Sequence, residues 1–268
     1  ASSAFAPAVP EDPHLANVVS FLTVGPAGTI VDLTGAALSI VGTPTTAVGG
    51  VYVAQSAVLG SGVYLHRPIS GFGVGVNYTI EGFVSNDAAT STYAAIASLL
   101  TSGGTRSTFM LNGNEGRPVW DGSWRFPSGV LPGSSTATVK HIALCKSGSN
   151  YTLHVNGVLV NAATWTGSPL EAHAINQLVV GASDNTGNES SGRLRFEQIR
   201  ITKNVARYGA SFTPPAGGLR YAPGSVPEKP LGTYTFETPY TGEVQVVLLD
   251  DRTEAPIEND MIHRTFPV

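Results

Sequence analysis

The side chains best suited to chemistry fall in three places. Trp120, Asp121, Trp124 and Arg125 share the run WDGSWRF. Aromatic faces stack on pyranose rings, while a carboxylate and a guanidinium supply directional hydrogen bonds, so this run is the candidate sugar-binding element, carried on a loop over a rigid scaffold. Aromatic residues of a β-sandwich also serve as core, and that reading is the favoured one for this run. Asp184, Asn185 and Asn188, in GASDNTGNESSG, form the oxygen-rich cluster most suited to calcium. Turn chemistry accounts for the same three residues without an ion and is the simpler explanation. Glu258, Asp260 and His263 approach the acid-x-acid-x-x-acid spacing of a glycosidase strand. Hydrolysis of a glycosidic bond needs two flanking carboxylates; histidine stands here at the third acid position, and no β alternation surrounds the group.

No residue is therefore assigned a catalytic role. The six histidines are scattered, with His141 and His154 in separate strand-like runs, and neither HExxH nor paired CxxC occurs, so zinc is not expected. No GxSxG elbow is present to present a nucleophilic serine. The single cysteine, Cys145, sits in the alternating run HIALC and is expected to be a buried, inert thiol. The fold must then hold without a disulfide of its own.

These residues must be positioned by strands. From Val18 onward the chain is a succession of short β-branched or alternating runs separated by glycine, serine, asparagine and proline, the spacing of a sandwich. The clearest strands are 18–24, 62–68, 77–85, 107–113, 137–147, 150–160, 175–182 and 193–202. Within 150–160, Tyr151, Leu153 and Val155 alternate with Thr152 and His154 before Asn156-Gly157, a dipeptide suited to the positive φ angles of a type I′ turn. In 193–202, Arg193, Arg195, Glu197 and Arg200 mark the face expected to be wet.

Both ends of the chain differ in character from its middle. Residues 1–13 hold three prolines and no apolar period, and are expected to form an extended arm. Residues 216–230, with prolines at 223, 227 and 230, read as a linker that no central strand could contain. Beyond it, 231–268 offers two strand-like runs, GTYTFET and EVQVVLL, too few for an independent core. This small acidic β extension is expected to pack on its own chain or on a neighbouring subunit.

Charged residues make up only 13% of the chain, about half the roughly 25% of an ordinary soluble domain. Of the net charge of −4, residues 227–268 carry −5, with eight acidic and three basic side chains, leaving +1 on the first 226. A nucleic-acid partner would need a basic stripe, and none is present. No run approaches the roughly 20 apolar residues of a membrane-spanning helix. The opening ASSAFAPAVPEDPH lacks the charged-then-apolar layout of a secretory signal, so synthesis in the cytoplasm is expected. A sparsely charged surface suits lasting contact with other protein, and equally suits a neutral extracellular domain.

Four segments, taken in order, resemble the concanavalin A-like, laminin-G-like jelly rolls of bacteriophage tail and virion proteins. DPHLANVVSFL resembles the family's first strand, YTIEGFV a sheet strand with a polar interruption, and HIALCKSGSNYTLHVNGVLV its central hairpin. The most specific match is GRLRFEQIRITKNVARYGASFTPP, which closes on Ile201-Thr202-Lys203, Ala206-Arg207-Tyr208 and Phe212-Thr213-Pro214-Pro215. The resemblance covers roughly residues 12–215. It implies an all-β jelly-roll sandwich of two antiparallel sheets over 14–215, with first and last strands adjacent, and a role in recognition or assembly. TVGPAGTIVDLTG departs from the family's acidic, aromatic opening and leaves the first loop short of calcium ligands. The expectation is a non-enzymatic structural protein of a phage virion, a tail or capsid-decorating subunit assembling through its terminal arms. Its partners would be other virion proteins and copies of itself, and not nucleic acid or membrane. The alternative is an adhesin that binds a host-surface glycan, and a glycoside hydrolase ranks below both.

Overall fold

A computed structural model describes residues 12–25, 27–48, 50–53, 55–72, 75–86, 93–112, 119–120, 126, 138–165, 174–184, 186, 193–215, 218–219 and 221, with Tyr93, Asn112, Val119 and Trp120 described by their backbone alone. The chain divides into two compact units, Asp12–Lys229 and Ala1–Glu11 with Pro230–Val268. All described residues belong to the first. Residues 1–11 of the expected arm, most of the 216–230 linker and the 231–268 extension lie outside the described residues.

After one turn of 3-10 helix at Leu15–Asn17, the described chain is built of strands. They are β1 (Val18–Val24), β2 (Ile30–Asp32), β3 (Ser39–Val41), β4 (Thr45–Val48), β5 (Gln55–Leu59), β6 (Tyr64–Phe72), β7 (Tyr78–Asn86) and β8 (Tyr93–Thr101). β9 (Arg106–Asn112), β10 (Val119–Trp120), β11 (Lys140–Ser147), β12 (Asn150–Val155), β13 (Val158–Thr164), β14 (Ile175–Val180) and β15 (Leu194–Lys203) complete the set. No described helix is long and apolar enough to cross a membrane.

The larger sheet runs β13-β12-β11-β7-β15-β1-β2, with β5 pairing β15 beyond the end of β1 and β4 pairing β5. The smaller runs β10-β9-β8-β14-β6-β3. Every pairing is antiparallel, and the first strand lies against the last, with Phe21 opposite Arg200 and Leu22 opposite Ile199. The hairpin between β12 and β13 turns on Asn156 (φ 48°) and Gly157 (φ 77°), the positive angles that Asn-Gly tolerates.

Alternation along each strand sends one set of side chains between the sheets. Leu22 of β1, Ile80 and Val84 of β7, Leu144 of β11, Leu153 of β12, and Phe196, Ile199 and Ile201 of β15 meet Leu65, Ile96, Leu99, Phe109 and Leu178 from the smaller sheet. Burial of these aliphatic and aromatic groups is the main favourable term for the sandwich. At one side, Arg67 of β6 reaches across to Asp32 of β2 at 2.6 Å and ties the two sheets together. Asp32 also accepts from Ser20 Oγ (2.7 Å), Phe21 N (3.1 Å), Thr34 N (3.0 Å) and Thr34 Oγ1 (2.7 Å). Burial raises its pKa, but those hydrogen bonds hold it below the ordinary carboxylate value.

Of the outer face around β15 expected to be wet, Arg193 is exposed and Arg195 half-buried, but Glu197 and Arg200 are covered. Glu197 and Arg200 of β15 are buried, because three stretches of chain lie over that face. One is 12–17. Another is the turn at 50–53, whose Val51 and Tyr52 amides both donate to Glu197 at 2.7 Å. The third is the chain leaving β15, which continues past the expected boundary at 215: Leu219 exchanges hydrogen bonds with the Gln198 amide at 2.7 and 3.3 Å. Leu219 and Tyr221 also pack on Phe21 and Phe83. Glu197 and Arg200 are paired beneath this layer rather than hydrated.

Candidate functional site

The most heavily built polar site of the described chain lies on that covered face, around Glu81. In β7, Thr79, Glu81 and Phe83 point outward while Tyr78, Ile80 and Val84 point into the core. Gly82 between them has no room for a side chain, since a Cβ there would stand 2.7 Å from the Gln198 carbonyl, where β15 bulges. The polar interruption in YTIEGFV is thus a hub residue beside a forced glycine.

Glu81 is fully buried. Its Oε1 accepts from Arg200 Nε (3.0 Å) and Nη2 (2.8 Å), with Arg207 Nε at 3.4 Å. Its Oε2 accepts from the Tyr208 hydroxyl (2.9 Å) and stands 3.2 Å from His141 Nε2, a bond in which that nitrogen carries the proton. Burial opposes the charge, but Arg200, the His141 bond and Arg207 outweigh it and hold the carboxyl far below its ordinary value. Arg200 is held above its own ordinary value against the opposing effect of burial, by Glu81 and then Asp12.

Asp12 completes the site. It accepts from Arg200 Nη1 and from both Arg207 Nη atoms, each at 2.9 Å. Two carboxylates and two guanidiniums therefore share one charge-balanced, nearly dry cluster, in the forked geometry that suits arginine. Asp12 enters from ahead of β1, Glu81 from β7, Arg200 from β15, and Arg207 from the segment after β15.

That segment, residues 204–215, forms a strap over β7, β11 and β12. Thr79 Oγ1 donates to Val205 O and accepts from Arg207 N, both at 2.9 Å. Thr152 Oγ1 donates to Tyr208 O at 2.9 Å, and Phe212 N donates to Gly157 O at 2.8 Å. Tyr208 and Phe212 stack face to face, with centroids 3.6 Å apart and 8° between planes, over His141 and His154. Gly157 is required twice, by its φ of 77° and because a Cβ would strike the Phe212 carbonyl. The closing motif thus has a structural explanation: Arg207 and Tyr208 bind the Glu81 hub, and Phe212 seals the β12–β13 turn.

The residues singled out from sequence lie elsewhere. Trp120 occupies β10, opposite Thr108 of β9, at the edge of the smaller sheet. Asp121, Trp124 and Arg125 lie outside the described residues, and so do Asn185, Asn188, Glu258, Asp260 and His263. Phe126, which ends the same run, is buried edge-on against Trp165 at 4.9 Å, and Trp165 stacks on Tyr151 at 3.7 Å. Asp184 spends one oxygen on Arg106 Nη1 (2.8 Å) and the other on Thr186 N and Oγ1 (2.9 and 2.6 Å), the arrangement of a polar turn closed by an ion pair. Among the described residues, no three His, Cys, Asp or Glu side chains gather as a metal cluster. Cys145 is buried, and burial pushes its thiol up to about 11.

Two antiparallel sheets face to face, with the last strand lying between the seventh and the first, decide the architecture. It is a jelly-roll sandwich. No family model matches the chain, and no curated protein matches it. Among solved structures it is similar to domain 4 of AbnA, a GH43 extracellular arabinanase from Geobacillus stearothermophilus, in complex with arabinotriose. The TM-score is 0.53 at 16% identity, over 79% of this chain and 97% of that one. It is similar also to the binding domain of botulinum neurotoxin serotype D/C (TM-score 0.50, 12% identity, 70% of this chain, 49% of that one). A third neighbour is Trypanosoma rangeli sialidase in complex with sialic acid (TM-score 0.50, 15% identity, 70% of this chain, 31% of that one). At these identities the likeness is one of fold.

Proposed function

We infer that this protein is a non-enzymatic structural subunit of a phage virion, a tail or capsid-decorating component that assembles through its terminal segments. The observation that carries the reading is the cluster of Asp12, Glu81, Arg200 and Arg207. It fastens the residue where the N-terminal segment joins the domain and the strap that leads toward the C-terminal segment to one buried face of one sheet. Tyr221, the last described residue, lies on that same face against Phe21, with ring centroids 5.9 Å apart. Segments that must transmit load between subunits need rigid roots, and a satisfied buried charge network supplies rigidity where a lone surface pair would not. The resemblance of the closing motif to phage virion jelly rolls points the same way.

The absence of a catalytic role belongs to this proposal and is supported by the described carboxylates. Asp12, Asp32, Glu81, Asp184 and Glu197 are each committed to arginine, hydroxyl or backbone partners. Glu81 cannot serve as a general acid, because its proton is lost far below neutrality. The experiment is deletion of residues 1–11 or 230–268 from the gene in a producing phage. Loss of the protein from purified particles, with the domain still folded, supports the reading, and undiminished incorporation refutes it.

A second reading, a glycan-binding module on the same particle, is favoured by one observation. Trp120 stands in the edge strand of the smaller sheet, in register with Thr108 and through it with Ser98. The fold likeness to an arabinanase domain solved with arabinotriose is compatible with it. Saturable binding to a host polysaccharide, abolished by Trp124→Ala without loss of folding, would establish it; no saturable binding by the unaltered protein would remove it.

A further inference from the structure

His154 takes no part in the charge cluster, yet it lies beneath the strap that the cluster holds. It projects from the outer face of β12, is fully buried, and neither ring nitrogen has a hydrogen-bond partner. Tyr208 and Phe212 of the strap close over it edge-on, at centroid distances of 5.9 and 5.4 Å. We propose that this arrangement is an acid-opened latch, in which proton uptake by His154 lifts the strap's aromatic pair off β11 and β12 and loosens the hold of Arg207 on Asp12.

The surroundings favour a neutral imidazole. From β11 the titratable groups on this face are His141 and Cys145; from the strap they are Tyr208 and Arg207. β7 contributes Glu81, β15 contributes Arg200, and the segment ahead of β1 contributes Asp12. β13 lies alongside with Leu159 opposite His154, and its sequence, VLVNAAT, holds no titratable side chain. Both carboxylates are already bound to the arginines. No acceptor stands at hydrogen-bonding geometry to either ring nitrogen, and although the Ala210 and Ala143 carbonyls favour an imidazolium, burial and His141 outweigh them, so the charged ring is stabilised by exposure.

Exposure is the open route, because the strap is fastened by isolated bonds and not by a ladder. Thr79, Thr152 and Gly157 hold it, as do the Leu159 amide on Ser211 and the Tyr208 hydroxyl on Glu81, and lifting it breaks no pairing among β7, β11 and β12. Arg207 and Tyr208 are adjacent in the strap, so movement of the tyrosine ring takes with it the guanidinium that grips Asp12. Burial, with His141 beside it, lowers the proton affinity of His154 in the closed state. The closed strap is therefore favoured at and above the ordinary histidine value of about 6.5, and that preference is lost as pH falls below it toward the closed-state value.

The test is hydrogen exchange on the full chain at about pH 7.5 and about pH 5, with intrinsic rates divided out. Protection of residues 204–212 should fall about tenfold or more at the lower pH, while β7 and β15 keep theirs. His154→Phe and His154→Leu, which keep an apolar filling, should each abolish the difference. If neither variant folds, the imidazole of His154 is titrated by NMR in the unaltered protein, and its midpoint should coincide with that of strap opening. Equal strap protection at both pH values overturns the proposal. So does a pH difference that survives in either folded variant, uniform loss of protection across the whole domain, or a His154 midpoint apart from that of opening.

Discussion

Replacing Glu81 by glutamine tests the clamp at its centre. The side chain keeps its length, so packing in β7 is retained, but a full negative charge leaves a fully buried site. Arg200, which donates at 3.0 and 2.8 Å, and Arg207, at 3.4 Å, are then left sharing Asp12 alone. Removing one partner of a buried ion pair costs about 3–5 kcal/mol, chiefly because the surviving charge is stranded. For a domain of this size each kcal/mol lowers Tm by about 2–4 °C, so calorimetry should show a fall of about 6–20 °C. The double variant Glu81→Leu/Arg200→Leu provides the control. It removes one charge of each sign, leaves Arg207 paired with Asp12, and should be more stable than Glu81→Gln. A Glu81→Gln protein melting within about 2 °C of the unaltered chain would refute the reasoning, as would a double variant less stable than the single one.

Other outcomes follow from the same geometry. Gly157→Ala should destabilise by about 1–3 kcal/mol in urea titration, since it combines a positive φ with a clash against the Phe212 carbonyl, whereas alanine at the open Gly148 turn should cost only the φ penalty. Cys145, with its thiol pushed up to about 11, should resist a thiol reagent at neutral pH in the folded chain and react once urea unfolds it. Asp12 and Asp32 are held below the ordinary carboxylate value, so their contribution is present above about pH 4 and is lost as pH falls through and below it. Urea midpoints measured down to about pH 2 should show this second, lower step, separate from the histidine window of the latch.

Much of the sandwich was legible in the sequence because one-sided burial writes a period of two. β12 alternates through buried Tyr151 and Leu153, and the Asn-Gly turn falls where the alternation stops. Strands buried on both faces write no such period: β8, YAAIASLLT, is rich in alanine, lies between β9 and β14, and has no wet face to mark it. β6 continues past Pro68 to Phe72, although a proline in a central strand argues for an end there. The register slips opposite it, between Ile175 and Gln177, and the irregularity accommodates the missing donor. The covering of the outer face was hidden for a different reason. Charges paired beneath a strap have the same sequence pattern as charges in water, so Glu197 and Arg200 passed as a wet edge. The available signal was Phe21 and Phe83, apolar rings on the same face as Arg200 and Glu81, which a hydrated face would not carry. Asp12 gave no local sign, because its partners stand 188 and 195 residues away.

The central claim, that the domain assembles through segments rooted at Asp12 and beyond Tyr221, is tested most directly by light scattering on the full chain beside a version confined to residues 12–229, which keeps Asp12 in its cluster. A defined oligomer that becomes a folded monomer on removal of both ends is the predicted result. The same mass per particle for both, whether monomer or oligomer, would contradict it.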